Sequence, residues 1–436
     1  MNTVSEAVKS TVRANRDYHC SILEDAVRVS MDGVNPFQQW LGESLRDLGA
    51  AVTEFTVSTD ELLNQPAYRR TLDRAPETLR GGKNVVANFP TDSPTDHSLL
   101  FFAHADKNPA TYDYSEDGIS IRPDLDRFVG PGIADDISGL AAIRSAIEVA
   151  QQLQGEDFGV TVASVLGKQF GVLGTYGLMQ RHDPTDAAVY VHPAESGGGL
   201  REVKVGSNGM AEFIIEIEGR SPTTTETHHP LFIDTAVNPI SIAADIDRQL
   251  QRWGDEQSEM HRFEPLESLT GRSFGVLSSR IDAGETTETY EVPNSCQLRG
   301  IVGFAPTVTL DAVQTSFQAQ IQTLVDERDE LSDEMISLAW GDCIAEASAL
   351  DPNSSFLATV SDAIDRHTNS APTPYYGHSA SDIRYPMQYW DAPTIGFGPN
   401  AGDMGTASEW VEAEQYYQTI EILSTLLIES DRLSTA

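Results

Sequence analysis

The sequence is poor in lysine: only Lys9, Lys83, Lys107, Lys168 and Lys204 occur among its 436 residues. With 29 basic against 66 acidic residues, the formal net charge is −37 at pH 7. A surface of this kind repels itself in dilute buffer and is tolerated where salt screens it, because the Debye length falls to about 3 Å at molar salt. The same field argues against nucleic acid and anionic membrane as partners, since both need basic patches. Acidic disordered chains also carry such charge, but they have few apolar residues. Here the hydrophobic fraction is 40% and apolar runs recur along the whole chain. A salt-adapted (halophilic) globular protein is expected.

Cysteine is scarce as well. Cys20, Cys296 and Cys343 are odd in number, far apart and in no CxxC pattern, which excludes a disulfide framework and a zinc ribbon. No apolar run approaches the ~20 residues that span a bilayer. Met1 to Asp17 has no apolar stretch of the signal-peptide kind, so a cytoplasmic location is expected. No GxSxG elbow occurs, which argues against serine hydrolase chemistry. Gly171 to Gly177 reads GxxGxxG and lacks the close glycine pair of a dinucleotide loop.

The length predicts two domains. Phe37, Leu41, Leu45 and Leu48 fall at turn spacing and predict a helix, followed by a strand over Ala51 to Val57. The runs Asn84 to Phe89, Ser98 to Ala103, Val160 to Leu166 and Ala187 to Val191 read as buried strands. Gly139 to Leu153 and a segment from Gly174 read as helices between them. This alternation predicts an α/β domain with a mostly parallel sheet and chemistry at the carboxyl ends of its strands. After Val205 the pattern changes. Gly209 to Gly219 alternates strictly, and the following order of elements is that of a ferredoxin-like β-α-β-β-α-β motif. An inserted α+β domain is therefore expected over residues 206–344, with the first domain formed by residues 1–205 and 345–436. Its tail predicts a strand over Pro393 to Gly398 and an amphipathic helix from Trp410 to Glu429.

Three segments carry chemistry, each after a buried strand. His104-Ala105-Asp106 offers an imidazole that can ligate a metal and a carboxylate that can orient it; alone it reads better as a strand-end histidine bonded to a backbone carbonyl. Gly130-Pro131-Gly132-Ile133-Ala134-Asp135-Asp136 opens a helix, where carboxylates are stabilising in any case. His192-Pro193-Ala194-Glu195 is followed by a Gly-rich stretch.

Taken in order, these segments resemble the zinc-dependent aminoacylases, desuccinylases and carboxypeptidases that include acetylornithine deacetylase and succinyl-diaminopimelate desuccinylase. The resemblance extends to Ser381-Asp382-Ile383-Arg384 and to Gly396-Phe397-Gly398-Pro399 followed by Glu409-Trp410-Val411, and it covers about residues 84–436. It implies a metallohydrolase fold with an inserted lid and dimerisation domain, and a homodimer. His104, Asp135 and Glu195 would be metal ligands, with His192 a rival for Glu195, and Asp106 would orient His104. His228, ten residues before Asn238, would polarise the substrate carbonyl, and Arg384 would hold a substrate carboxylate. The cofactor implied is zinc, or cobalt or manganese, one ion per chain. The substrate class implied is N-acyl amino acids or small peptides.

The chain departs from that pattern in three places. Lys168 and Gln169 stand where the family has an acidic pair that supplies the general base and a second-metal ligand. No histidine precedes Glu409 in the segment Asp403 to Ser408, and Gly303 replaces a frequent arginine. A lysine beside a dication must turn away or lose its proton. His378 and His229 are spare imidazoles, each readable as an ordinary loop residue. Two functions follow: an amide hydrolase with an altered active site, or an inactive relative that binds an acylated amino acid or a protein partner. Metal content separates them.

Overall fold

The structure, a computed structural model, describes residues 2–57, 81–89, 98–107, 120–122, 126–155, 159–168, 173–193, 196–223, 235–284, 291–406 and 408–430. These form two compact units. One comprises the described residues up to Gly206 together with those from Ala349 onward, and the other runs from Ser207 to Ser348.

An eight-stranded sheet organises the first unit. Its order is Ala51–Phe55, Asn84–Phe89, Val160–Val165, Leu99–His104, Ala187–Val191, Thr394–Phe397, Glu202–Lys204, Thr373–Tyr375. The four central strands run parallel, while Ala51–Phe55 and Asn84–Phe89 are antiparallel additions at one edge. Every residue of Leu99–His104 and of Ala187–Val191 is buried. That is why these strands read as continuous apolar runs: both faces of a parallel sheet are covered. The helix Ser138–Gln154 packs against Ala413–Ile428, and the N-terminal helices Asn2–Ala14 and Arg16–Met31 join it. The predicted helix around Phe37 runs over Val34–Asp47.

One expectation needs correcting. Trp410 does not begin the last helix; Trp410–Glu412 is a short strand antiparallel to Arg127–Val129, and the helix starts at Ala413. The Arg127 guanidinium lies 3.6 Å from the centre of the Trp410 ring. This cross-strand contact outweighs the helical periodicity of the downstream residues.

The second unit is a four-stranded antiparallel sheet in the order Phe274–Ala283, Ser295–Phe304, Gly209–Glu218, Ile336–Ala345. With the helices Pro239–Met260 and Leu310–Asp326 it has the predicted β-α-β-β-α-β order. Phe213, Ile215 and Ile217 point into a core completed by Trp253, Phe274 and Phe317, which explains the strict alternation of that strand. Both helices are capped by the residue before them: Asn238 accepts from the Ile240 amide and Thr309 from the Ala312 amide. A side chain at Gly300 would meet the Phe213 ring at 2.3 Å, so glycine there makes room for the aromatic core. Among the described residues, no helix is long and apolar enough to cross a membrane.

Candidate metal centre

Parallel pairing brings the chemistry-bearing segments to one edge of the first unit's sheet. His104 ends its strand in register with Val165, and Phe102 is in register with Tyr190. Lys168 and His192 therefore emerge beside His104. Asp135 arrives from the loop that opens the helix Ser138–Gln154, and residues 130–137 of that loop are buried throughout. The loop is held from the C-terminal segment. The Gly130 amide donates to the Glu409 carbonyl at 2.9 Å, and the Ala134 amide to the Glu409 carboxylate at 3.2 Å. Burial pushes the Glu409 carboxyl up to about 7.

Asp135 Oδ1 is the meeting point. It lies 2.9 Å from His104 Nε2, 3.0 Å from His192 Nε2 and 2.9 Å from Lys168 Nζ. Lys168 Nζ also makes a short contact with His192 Nε2. Ligand atoms of His104, Asp135 and His192 lie within 4.8 Å of one another, and all three residues are buried. His104 Nδ1 is 2.8 Å from the Asp106 carbonyl oxygen. A carbonyl only accepts, so Nδ1 carries the hydrogen. Nε2 then either donates to Asp135 as an imidazolium or offers its lone pair to a cation. His192 Nδ1 sits 2.7 Å from the Pro193 carbonyl and 2.8 Å from Lys204 Nζ. Lys204 Nζ also donates to the Pro193 carbonyl at 3.0 Å; in the tautomer with the hydrogen on Nδ1, the Nε2 lone pair faces Asp135 and Lys168 and can ligate a cation.

The electrostatics are tightly coupled. Burial raises the Asp135 carboxyl, but the Lys168 ammonium and His104 outweigh it and hold it well below the usual carboxylate range. For His104, burial and Lys168 act downward, yet Asp135 and the hydrogen bonds with Asp106 and Asp135 carry it up to about 10. Asp136 is fully buried with both carboxyl oxygens lacking a hydrogen bond, and burial pushes it well above its ordinary value.

The donor set tests whether a divalent ion fits. Two imidazole nitrogens with their far nitrogens anchored on carbonyls, plus one carboxylate oxygen, form a mixed N/O site suited to zinc, cobalt or manganese. They fit. The competitor is the Lys168 ammonium, which lies among the same atoms.

Of the sequence-predicted residues, the structure brings together His104, Asp135 and the rival His192. Glu195 and His228 lie outside the described residues, as do Gln169 and His229. Asp106 is adjacent to His104, but the orienting atom differs from expectation. Its backbone carbonyl holds the ring, while its carboxylate is 3.7 Å away and instead accepts from the Gly167 amide at 2.9 Å. Arg384 is buried within its own turn, donating to the Ser381 carbonyl and the Tyr385 hydroxyl and lying over the Tyr385 ring. His378 stands edge-on to His192, with ring centres 6.3 Å apart. Lys204, fully buried against His192, was missed. Its signal was a lysine between the apolar residues Val203 and Val205 in a chain with five lysines.

Comparison with known proteins follows the same lines. A family model, Peptidase family M28, matches residues 84–217. No curated protein sequence matches the chain. Among solved structures, a tripeptidase from Staphylococcus aureus superposes with a TM-score of 0.69 at 15% identity, covering 95% of this chain and 98% of that one. The dipeptidase Dug1p from Saccharomyces cerevisiae superposes with a TM-score of 0.67 at 13% identity, covering 99% of each. Bacillus subtilis YXEP, described as a dinuclear metal-binding peptidase of the M20 family, gives 0.58 at 12% identity over 94% of this chain and 99% of that one. Over 94–99% of its length the chain superposes on these metallopeptidases and shares their fold, and within it residues 84–217 match peptidase family M28.

Proposed function

We propose that this chain is a metal-dependent hydrolase of amide bonds in N-acyl amino acids or small peptides, with one divalent cation held by His104, Asp135 and His192. The observation that carries the reading is the convergence of these three buried side chains at the carboxyl edge of a parallel sheet. When bound, a zinc, cobalt or manganese ion supplies Lewis acidity, polarising the amide carbonyl and acidifying water. Asp106 positions His104 through its carbonyl and anchors the strand end that carries Lys168 through its carboxylate. Glu409 fixes the loop that presents Asp135. Glu195 is assigned as a further ligand, His228 as a substrate-carbonyl contact and Arg384 as the partner of a substrate carboxylate. These three assignments rest on the family resemblance. So does dimerisation through the second unit, whereas a cytoplasmic location is proposed from the sequence reading of Met1 to Asp17.

Purified protein in molar KCl is expected to retain about one metal equivalent after dialysis and to release amino acid from a panel of N-acetyl and N-succinyl amino acids, dipeptides and tripeptides. Metal content near zero after loading with zinc, cobalt and manganese would refute the hydrolase. One observation favours a second reading, an inactive relative that binds an acylated amino acid: Lys168 stands where a general base would act, with its ammonium on Asp135. Metal binding without turnover of any panel member, together with tight binding of an N-acyl amino acid, identifies that alternative.

A further inference from the structure

We infer that Lys168 is a tethered cation of this centre: its ammonium holds part of the coordination space, and a divalent ion must push it aside to bind. The inference rests on the metal-binding reading above and goes beyond it by assigning a role to a residue that is not a ligand. Lys168 Nζ donates to Asp135 Oδ1 at 2.9 Å and closely approaches His192 Nε2. Those are two of the three atoms that would take the ion.

The lysine is built into this position. Gly167, with φ +85°, turns the chain at the strand end, and the Asp106 carboxylate accepts from the Gly167 and Lys168 amides. Its side chain is only 16% exposed. Beyond it lies Tyr190, whose ring is 5.9 Å from Lys168 Nζ and 5.2 Å from Lys204 Nζ, and which stacks on His192 with centres 5.0 Å apart. The negative face of the ring thus supports both ammonium groups. His192 is approached by Lys168 at Nε2 and by Lys204 at Nδ1. In a chain with five lysines, two therefore meet at one buried imidazole.

The physical consequence is competition. A dication and an ammonium sharing one carboxylate oxygen a few ångströms apart repel strongly in a low-dielectric interior, and one oxygen with its histidine neighbours cannot serve both in full. Ion entry therefore costs the Lys168 contacts with Asp135 and His192.

The test is a Co²⁺ titration of the full chain in molar KCl at one pH, followed by visible absorption and by calorimetry. Wild type is compared with Lys168→Met, which keeps length and bulk but removes charge and donors, with Lys168→Gln as a second uncharged variant. Circular dichroism checks that each is folded. The expected result is Co²⁺ affinity at least tenfold tighter in both variants, with one site in wild type. Binding by the variants alone supports the inference equally. Affinity equal to or weaker than wild type in both variants overturns it while leaving the metal centre standing. Absence of Co²⁺ binding in all three folded proteins overturns the metal reading itself, and the inference with it.

Discussion

Gly139 is the second residue of the helix that follows the Asp135 loop, and Gly139→Ala is expected to loosen the candidate centre from behind. A Cβ there would lie 2.1 Å from the Val191 carbonyl oxygen and 2.8 Å from Asp136 Oδ1. The first is a main-chain atom of a central parallel strand, immediately before His192, and cannot rotate out of the way. Overpacking costs about 1–3 kcal/mol when neighbours can adjust; with a rigid main-chain oxygen in contact, about 3 kcal/mol is the fitting figure. Alanine regains about 0.8–1 kcal/mol over glycine in a helix, leaving a net loss of about 2 kcal/mol. At about 2–4 °C for each kcal/mol in a large domain, the melting temperature falls by ~4–8 °C. Because the displaced segments carry Asp135 and His192, Co²⁺ affinity falls as well. Gly303→Ala is the control: no atom lies within 4 Å of its Cβ position, so the change should be neutral or slightly stabilising in a strand. Urea and thermal unfolding in molar KCl, read by circular dichroism alongside Co²⁺ calorimetry, decide the matter. Equal stability of Gly139→Ala and wild type, or an equal loss in Gly303→Ala, would refute the reasoning.

Removing His192 as a donor, by His192→Ala, is expected to weaken Co²⁺ binding at least tenfold with circular dichroism unchanged; undiminished affinity would show that the ion sits elsewhere. Arg366 holds Glu429 through two hydrogen bonds of 3.1 and 2.8 Å on mostly buried side chains. Glu429→Gln removes one of two carboxylates on that guanidinium, Asp362 being the other at 3.0 Å, and should cost about 1.5–3 kcal/mol in urea unfolding, the worth of a hydrogen bond to a charged group; an unchanged midpoint would discount the pair. His19 is buried with neither ring nitrogen hydrogen-bonded, and burial lowers it from 6.5 to about 4. The neutral ring is the folded form, so stability is fully present above pH 6.5 and is lost as pH falls from 6.5 towards 4. His19→Met should flatten that part of the stability–pH profile, and an unchanged slope would discount the residue. Finally, a charge of −37 predicts a lower melting temperature at 0.1 M than at 2 M KCl, because the Debye length grows from below 3 Å to about 10 Å; a salt-independent melting temperature would contradict salt adaptation.

Much of the architecture was visible in the one-dimensional pattern. Continuous apolar runs at Leu99–His104 and Ala187–Val191 announced strands covered on both faces, and the alternation of Phe213, Ile215 and Ile217 announced a strand with one exposed side. Burial acts residue by residue, so its period survives in the chain itself. The strand at Trp410–Glu412 was not visible, because its partner, Arg127–Val129, lies nearly three hundred residues away. The candidate centre was half legible. His104 and Asp135 stood at segment ends where chemistry is expected. Strand register brings His192 beside His104 and Asp135, a proximity that no spacing within the chain encodes, and Glu195 lies outside the described residues.

Composition and local periodicity, then, were enough to specify a mostly parallel sheet and an acidic, lysine-poor chain, since each follows from how a residue and its near neighbours partition between water and core. Only folding could bring Lys168 and Lys204 to the two nitrogens of one buried imidazole, or turn the Asp106 carbonyl rather than its carboxylate towards His104. Those contacts join atoms from separate strands, and their distances are set by register and loop geometry.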